Sequence, residues 1–332
     1  MIAYLKAYIK HESYRKDISM AREWHSTPVE INETEDLIEA CYENGWTDGL
    51  PVVPPTPERV ERMLSGTDRD PDELIAAIPP KWGRATVEKI AINAVMAGCK
   101  PAYLPLILTA VETMTTEAFN LHGVQVTTSH VGPMLIVNGP IRKTLDINDG
   151  FNLFGQGWRA NATIGRAVRF VCTNIGGALP GELDRAAFGH AGKYTCCIAE
   201  KEETSPWEPL HVDRGFQTDD STVTVFAAAG PQTVNDHGSN TAEGILNTIS
   251  ANMAAPGNSS GETLIVIGVE HAKTISGDGF SKTDVRKYIA DTTNRYAVAD
   301  LLLTVAGGPA GRWSIIIPGW GSPSSRAVTL KV

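Results

Sequence analysis

The sequence predicts an α/β fold: a helix-rich N-terminal region, then a sheet of repeated strand, Gly-Pro loop and helix units, with a candidate internal duplication. Three observations carry this expectation. Residues 34–123 place apolar side chains at helical spacing. Residues 124–332 contain continuous apolar runs at 134–138, 223–229, 264–267 and 301–306, the pattern of strands buried on both faces. Three of these runs end at Gly139-Pro140, Gly230-Pro231 and Gly307-Gly308-Pro309.

The elements follow in order. Residues 1–33 are mixed and polar and read as an arm outside the core. Thr34 is a candidate N-cap for a helix bearing Leu37, Ile38, Cys41 and Tyr42, which Gly45 ends. Pro51, Pro54, Pro55 and Pro57 forbid helix and favour an extended segment after Gly49. Thr56 with Pro57 at the first helical position starts a helix through Met63. Residues 66–80 read as a polar connector. Val87, Ile90, Ala91, Ala94 and Val95 form one face of a helix over 84–98, with Gly98 as its C-cap. Leu106, Ile107, Ala110, Val111 and Met114 mark another over 103–116.

The duplication is read from two similar stretches. After Pro140 a Gly-rich loop reaches Asn161-Ala162-Thr163-Ile164-Gly165 and a helix. After Pro231 a polar loop reaches Asn240-Thr241-Ala242-Glu243-Gly244 and a second helix. Pro180-Gly181 and Pro256-Gly257 follow the two helices.

Composition narrows the function classes. The chain has 332 residues, with 29 Lys and Arg against 38 Asp and Glu, a formal charge of −9. That balance argues against a broad nucleic-acid surface. No apolar run reaches the roughly 20 residues of a membrane span. The five cysteines are irregularly spaced and form no disulfide framework or CxxC zinc pattern. The first residues lack the apolar core of a secretory signal, so the chain reads as cytoplasmic. Neither GxGxxG nor GxxxxGK[ST] occurs, so no nucleotide cofactor is expected and the cofactor stays unassigned. No metal ligand set is assigned, although His130, His190, His211, His237 and His271 would form one if they converged.

If strands end at Gly-Pro and helices begin at Asn, the loops between them lie where α/β folds bind ligands. Helix N-termini there favour an anionic group. The densest polar stretch is Asn235-Asp236-His237-Gly238-Ser239-Asn240. His237 beside Asp236 suits a general base near neutral pH, and the same residues also suit a turn and an N-cap. In Gly189-His190-Ala191-Gly192-Lys193, His190 and Lys193 suit an acid and an anion anchor. Glu270 and His271 follow a buried strand, a common catalytic position. Arg166 suits a bidentate clamp on a carboxylate or phosphate. Asn161, Asn240 and Ser239 would orient the substrate. Cys99 is the candidate thiol, between a helix C-terminus that raises its pKa and Lys100 that lowers it. Cys196 and Cys197 point to opposite faces of a strand.

Four segments carry a family resemblance: Asp48-Gly49-Leu50-Pro51-Val52-Val53-Pro54-Pro55-Thr56, Ala94–Pro101, Asn161–Arg166 and Gly307–Arg312. Over residues 40–332 the chain resembles a widespread bacterial family loosely associated with proteins bearing a Cys/Sec-Gly-Ser-Cys motif, some of them thiol or selenol oxidoreductases. The resemblance implies a bacterial metabolic role. This chain contains no Cys-Gly-Ser-Cys motif, so the resemblance transfers no catalytic residue.

The sequence therefore predicts a homo-oligomeric enzyme acting on a small polar or anionic metabolite. Acid–base cleavage or hydration, a lyase or hydrolase chemistry, fits the residues better than hydride transfer. Two alternatives stand beside it: a thiol- or selenol-linked oxidoreductase component, and a non-catalytic binding or assembly subunit with a partner protein.

Overall fold

The computed structural model describes residues 7–10, 24–31, 36–255 and 262–332. A parallel pair, β1 (Ala7–Lys10) and β2 (Thr27–Glu30), precedes helices α1 (Leu37–Glu43) and α2 (Pro57–Leu64). The hairpin β3 (Leu74–Ile78) and β4 (Gly83–Thr86) leads into α3 (Val87–Ala97), α4 (Leu104–Met114) and α5 (Leu121–Val126). There follow β5 (Gly132–Asn138), α6 (Ile141–Thr144), α7 (Arg159–Phe170), β6 (Cys197–Ala199), α8 (Leu210–Asp213), β7 (Thr222–Ala228) and β8 (Gln232–Asn235). The chain ends with α9 (Ala242–Met253), β9 (Thr263–Ile267), α10 (Val269–Gly277), α11 (Lys282–Thr293), β10 (Leu301–Val305), β11 (Trp313–Pro318) and β12 (Val328–Lys331). Among the described residues no helix is long and apolar enough to cross a membrane.

The fold is mixed α/β, built on two four-stranded sheets ordered β12-β7-β5-β6 and β10-β9-β11-β8. Within them β5 runs parallel to β6 and β9 parallel to β10, and every other pairing is antiparallel. Strand alternation explains the layering. Met134 and Ile136 of β5, Phe226 of β7, and Leu264 and Val266 of β9 share one core between the sheets. Leu135 and Val137 point the other way, into a core with α3, α4 and α7. Ile265 and Ile267 likewise meet α9, α10 and α11. The order of layers is helix, sheet, sheet, helix. Both faces of each central strand are dry, so the sequence shows continuous apolar runs rather than alternation.

The N-terminal helices share a core with the first sheet. Within the segment read as an outlying arm, Ser26 is buried and donates from its amide and hydroxyl to the buried Glu88 of α3. The arm expectation is corrected there: a serine needing acceptors met a carboxylate needing donors. Asp36, not Thr34, caps α1 by accepting from the Ile38 amide at 2.8 Å. Thr34 and Pro256-Gly257 lie outside the described residues. Residues 66–80 hold β3 rather than only a connector.

A duplication is visible in the topology, in a different register from the sequence reading. β5 leaves through helices, returns as parallel β6, and then β7 lies antiparallel on its other edge. β9 does the same with β10 and β11. The last strand of each set crosses over: β8 joins β11 and β12 joins β7. The repeats are β5 to β8 and β9 to β12, exchanging their final strands. Helices starting near 161 and 240 are not equivalents, because β7, upstream of the second, is the antiparallel neighbour of β5. Gly, Pro and Asn punctuate loops of every kind, which is why the sequence suggested the wrong pairing.

One glycine in each repeat supports this register. A Cβ on Gly139, after β5, would lie 2.0 Å from the Asp220 carbonyl oxygen, just before β7. A Cβ on Gly268, after β9, would lie 2.1 Å from the Trp313 carbonyl oxygen, at the start of β11. Both strand-to-helix turns pass so close to the returning chain that only hydrogen fits.

Candidate functional site

The residues singled out in the sequence fall into three places. Around β8 and α9, Asp236 is buried and accepts from Thr248 Oγ1 at 2.6 Å, from the Ser239 amide at 2.8 Å and from the Gly238 amide at 3.2 Å. Burial pushes its carboxyl up, yet these donors together outweigh that and hold it down at about 2. It is a loop clasp and does not activate His237. His237 is exposed and meets the Trp313 ring edge-on, 5.1 Å between centroids. Asn240 is exposed, and Thr241 rather than Asn240 caps α9, accepting from the Gly244 amide. Ser239 gives its carbonyl to Arg312.

His271 is fully buried. Its Nδ1 meets Ser314 Oγ at 2.8 Å and its Nε2 meets the Asp236 carbonyl at 3.1 Å. The carbonyl accepts only, so Nε2 carries the proton and Nδ1 accepts from the serine. Burial holds this ring below the usual histidine range. His271 therefore ties α10 to β8 and β11. Glu270 differs: Oε1 accepts from the Gly311 amide at 3.2 Å, while Oε2 is buried with no partner. It lines an open cleft of ≈ 510 Å³ with Lys273, Thr274 and Arg312. Beside it, a cavity of ≈ 140 Å³ is walled by Phe154, Gly268, Gly307, Gly308 and Trp313 at the carboxyl ends of β9 and β10. The sequence placed all three Gly-Pro loops at one end of the sheet; the loop after β10 lines this cavity, but the loop after β7 lies at the amino end of β5, because those two strands run antiparallel.

Asp236 carries a pH expectation. Its folded pKa of about 2 lies below an unfolded value near 3.8, so its contribution is full above about pH 4 and is lost as pH falls towards 2. The shift amounts to about 2 kcal/mol. Asp236→Asn should lower stability by about that much at pH 7 and flatten the acid limb, measured by urea unfolding across pH 2–7.

Arg166 is a bidentate clamp, but on the chain itself. Its Nε and Nη2 donate to Asp48 at 2.8 and 2.7 Å, and Nη2 also reaches the Leu50 and Pro51 carbonyls. Its guanidinium stacks 4.9 Å from the Phe170 centroid. Its Nε and Nη2 are spent on the chain itself, and the expected bidentate grip on a ligand is corrected to one on Asp48 that holds the Pro-rich segment. Asn161 is also structural. It is the third residue of α7, not its cap, and it bonds Asn148 and the Cys197 carbonyl. Lys193 is held by both Asp184 oxygens, at 2.9 and 2.7 Å. His190 accepts from the Gly192 amide through Nδ1 at 3.2 Å. Cys196 and Cys197 do face opposite cores. Among the described residues no three His, Cys, Asp or Glu side chains gather into a metal-binding group.

The third place lies where segments 48–56, 94–101 and 161–166 meet. The Val53 amide donates to the Met96 carbonyl at 3.1 Å, Arg166 holds Asp48, and Cys99 Sγ donates to the Thr163 carbonyl at 3.2 Å. Between them lies a pocket of ≈ 250 Å³ with the side chains of Arg59, Arg62, Lys100 and Arg159 in its wall, alongside Val53 and Cys99. No carboxylate lines it, and none of the four cations is in an ion pair among the described residues. Arg59 is braced by the Pro54 carbonyl at 2.8 Å, and Arg159 by the Gly98 carbonyl at 2.9 Å. Gly98 takes φ +88° as the C-cap of α3, turning its carbonyl end towards these cations. Two cations are thus fixed by backbone, and Arg62 and Lys100 stand exposed at the mouth.

Cys99 touches this pocket, but not as a nucleophile. Burial pushes its thiol up to about 12, and the Thr163 carbonyl takes its proton as a hydrogen-bond acceptor. Iodoacetamide should leave Cys99 unmodified in the folded protein at pH 8 and alkylate it in urea, read by peptide mass spectrometry.

Arg59, Arg62 and Arg159 were not found from the sequence, and Lys100 was noted only as a neighbour of Cys99. Two signals were available. Arg59 and Arg62 lie three apart on one helix face. Arg159 opens α7, where the helix dipole disfavours a cation. No family model matches the chain, and no curated protein sequence does either.

Proposed function

We propose that this chain binds a small metabolite carrying two or more negative charges, carboxylate or phosphate, in the pocket between α2, α3 and α7. The carrying observation is the convergence of Arg59, Arg62, Lys100 and Arg159 without a carboxylate, in a chain whose net charge is −9. Like charges lining one pocket repel, and an anion relieves that repulsion. Guanidinium forks suit carboxylate and phosphate edges. Two of the segments that resemble the bacterial family, 48–56 and 94–101, contribute residues to this wall, which accords with a metabolic role. The lining supplies donors and no base, so its chemistry is recognition.

Tricarballylate is a suitable probe. At a hundredfold excess over its Kd it should stabilise the protein by about 2.7 kcal/mol, read as a saturable rise in Tm at fixed ionic strength. No rise, or a linear one without saturation, contradicts the proposal.

A second reading is acid–base cleavage or hydration at the cleft of α10, favoured by the orphaned Glu270 Oε2 beside Lys273 and Arg312. Glu270→Gln keeps the shape and removes the base. Under this reading it abolishes turnover while tricarballylate binding persists.

A further inference from the structure

Arg169 sits in the last turn of α7 with its side chain 9 % exposed. Its Nε makes no hydrogen bond. The nearest carboxylate oxygen, Asp184 Oδ2, lies 3.8 Å from Nη2, beyond hydrogen-bonding distance. Asp184 is already engaged: Lys193 Nζ holds both its oxygens and the Ala186 amide donates to Oδ1 at 3.1 Å. Arginine cannot shed its proton to escape burial. A buried guanidinium N–H without an acceptor is unfavourable unless something supplies one.

A second orphan lies nearby. His190 Nδ1 accepts from the Gly192 amide, so the neutral ring carries its proton on Nε2. That Nε2 is buried and completes no hydrogen bond. The Ala228 backbone lies close enough to the ring to favour its charged form, but burial outweighs this and holds the ring below the usual histidine range. The groups surround the amino end of β5. Arg169 Nη1 and Lys193 Cγ each lie 3.6 Å from where a Cβ on Gly132 would be, and His130 meets His190 edge-on at 6.1 Å. Two donors without hydrogen-bond partners, Arg169 Nε–H and His190 Nε2–H, thus lie near the amino end of β5. Arg169 and Lys193 against Asp184 leave a surplus of one positive charge.

We propose that Arg169, His190 and Lys193 form a buried site for a monovalent inorganic anion of the chloride class. The single surplus charge calls for a monoanion. A spherical halide accepts from several donors without directional demand. The site is separate from the pocket between α2, α3 and α7, and its occupant locks the end of α7 to β5 and to the turn at 190–193. Chloride occupancy would then stabilise the fold.

Crystals of the full chain grown without halide and soaked in sodium bromide test this by anomalous scattering. The expected result is a bromide peak within hydrogen-bonding distance of Arg169 Nε and His190 Nε2. Bromide found only on the surface overturns the proposal. In solution, replacing gluconate with chloride at constant ionic strength should raise Tm saturably, by roughly 3–6 °C at a hundredfold excess over Kd. Lys193→Gln removes the surplus charge and should abolish that rise, whereas Arg62→Ala should leave it intact. Equal Tm in gluconate and chloride, or a response to sulfate rather than chloride, overturns the assignment.

Discussion

Replacing Arg62 and Lys100 together by alanine is expected to weaken tricarballylate binding by about 30- to 1,000-fold. Each side chain offers one charge-assisted contact at the mouth of the pocket, worth about 1–2 kcal/mol after allowing for solvent screening. The fold should be untouched, because both side chains are exposed and neither carries an ion pair among the described residues. Calorimetric titration reads the loss, and thermal unfolding without ligand confirms an unchanged Tm. Arg59 and Arg159 make poorer test positions. Each also braces a backbone carbonyl, so its removal mixes binding with local structure. Binding should also weaken with salt, since the attraction is between charges that are partly open to solvent.

The largest stability effect is expected at the two strand-to-helix turns. Gly268→Ala should cost about 3–5 kcal/mol, because its Cβ would lie 2.1 Å from the Trp313 carbonyl oxygen, a backbone atom that cannot rotate away. Gly139→Ala should cost at least as much: the same clash occurs at 2.0 Å, and its φ of +79° adds strain. Against a typical total of 5–15 kcal/mol, either change threatens folding. Gly277→Ala is the control. Nothing lies within 4 Å of its Cβ position, so stability should hold or rise slightly. Urea unfolding of the three variants distinguishes a specific close approach from a general dislike of alanine. Similar losses at 139 and 268, with none at 277, would also support the repeat register drawn from the sheets.

What was legible in the sequence follows from where water is excluded. β5, β7, β9 and β10 are dry on both faces, so each left an unbroken apolar run. β8 is a short edge strand in which only Val234 is buried, and Gln232-Thr233-Val234-Asn235 carries no comparable run. α3 and α4 announced themselves by periodicity, and Gly98 by its position after the last apolar turn. The site was less legible, for a different reason. Arg166 and Asp48 are separated by 118 residues, and nothing local to either says that they pair. His271 and Asp236 look like catalytic groups by type, yet each spends its hydrogen-bonding capacity on backbone or hydroxyl partners. Residue type marks what a side chain can do. Partner count, which only the fold supplies, decides whether that capacity is still free. The cations of the basic pocket are the reverse case: ordinary surface residues by sequence, gathered by the packing of α2, α3 and α7.

The most direct test of the central claim is a charge ladder. Acetate, succinate and tricarballylate should be titrated into the wild-type chain by calorimetry at one ionic strength and pH. Binding to a four-cation pocket should strengthen steeply with each added carboxylate, by roughly tenfold or more per step, and the slope should collapse in the Arg62→Ala, Lys100→Ala double variant. Affinities that do not change along the ladder, or a slope that survives the double substitution, would contradict the account.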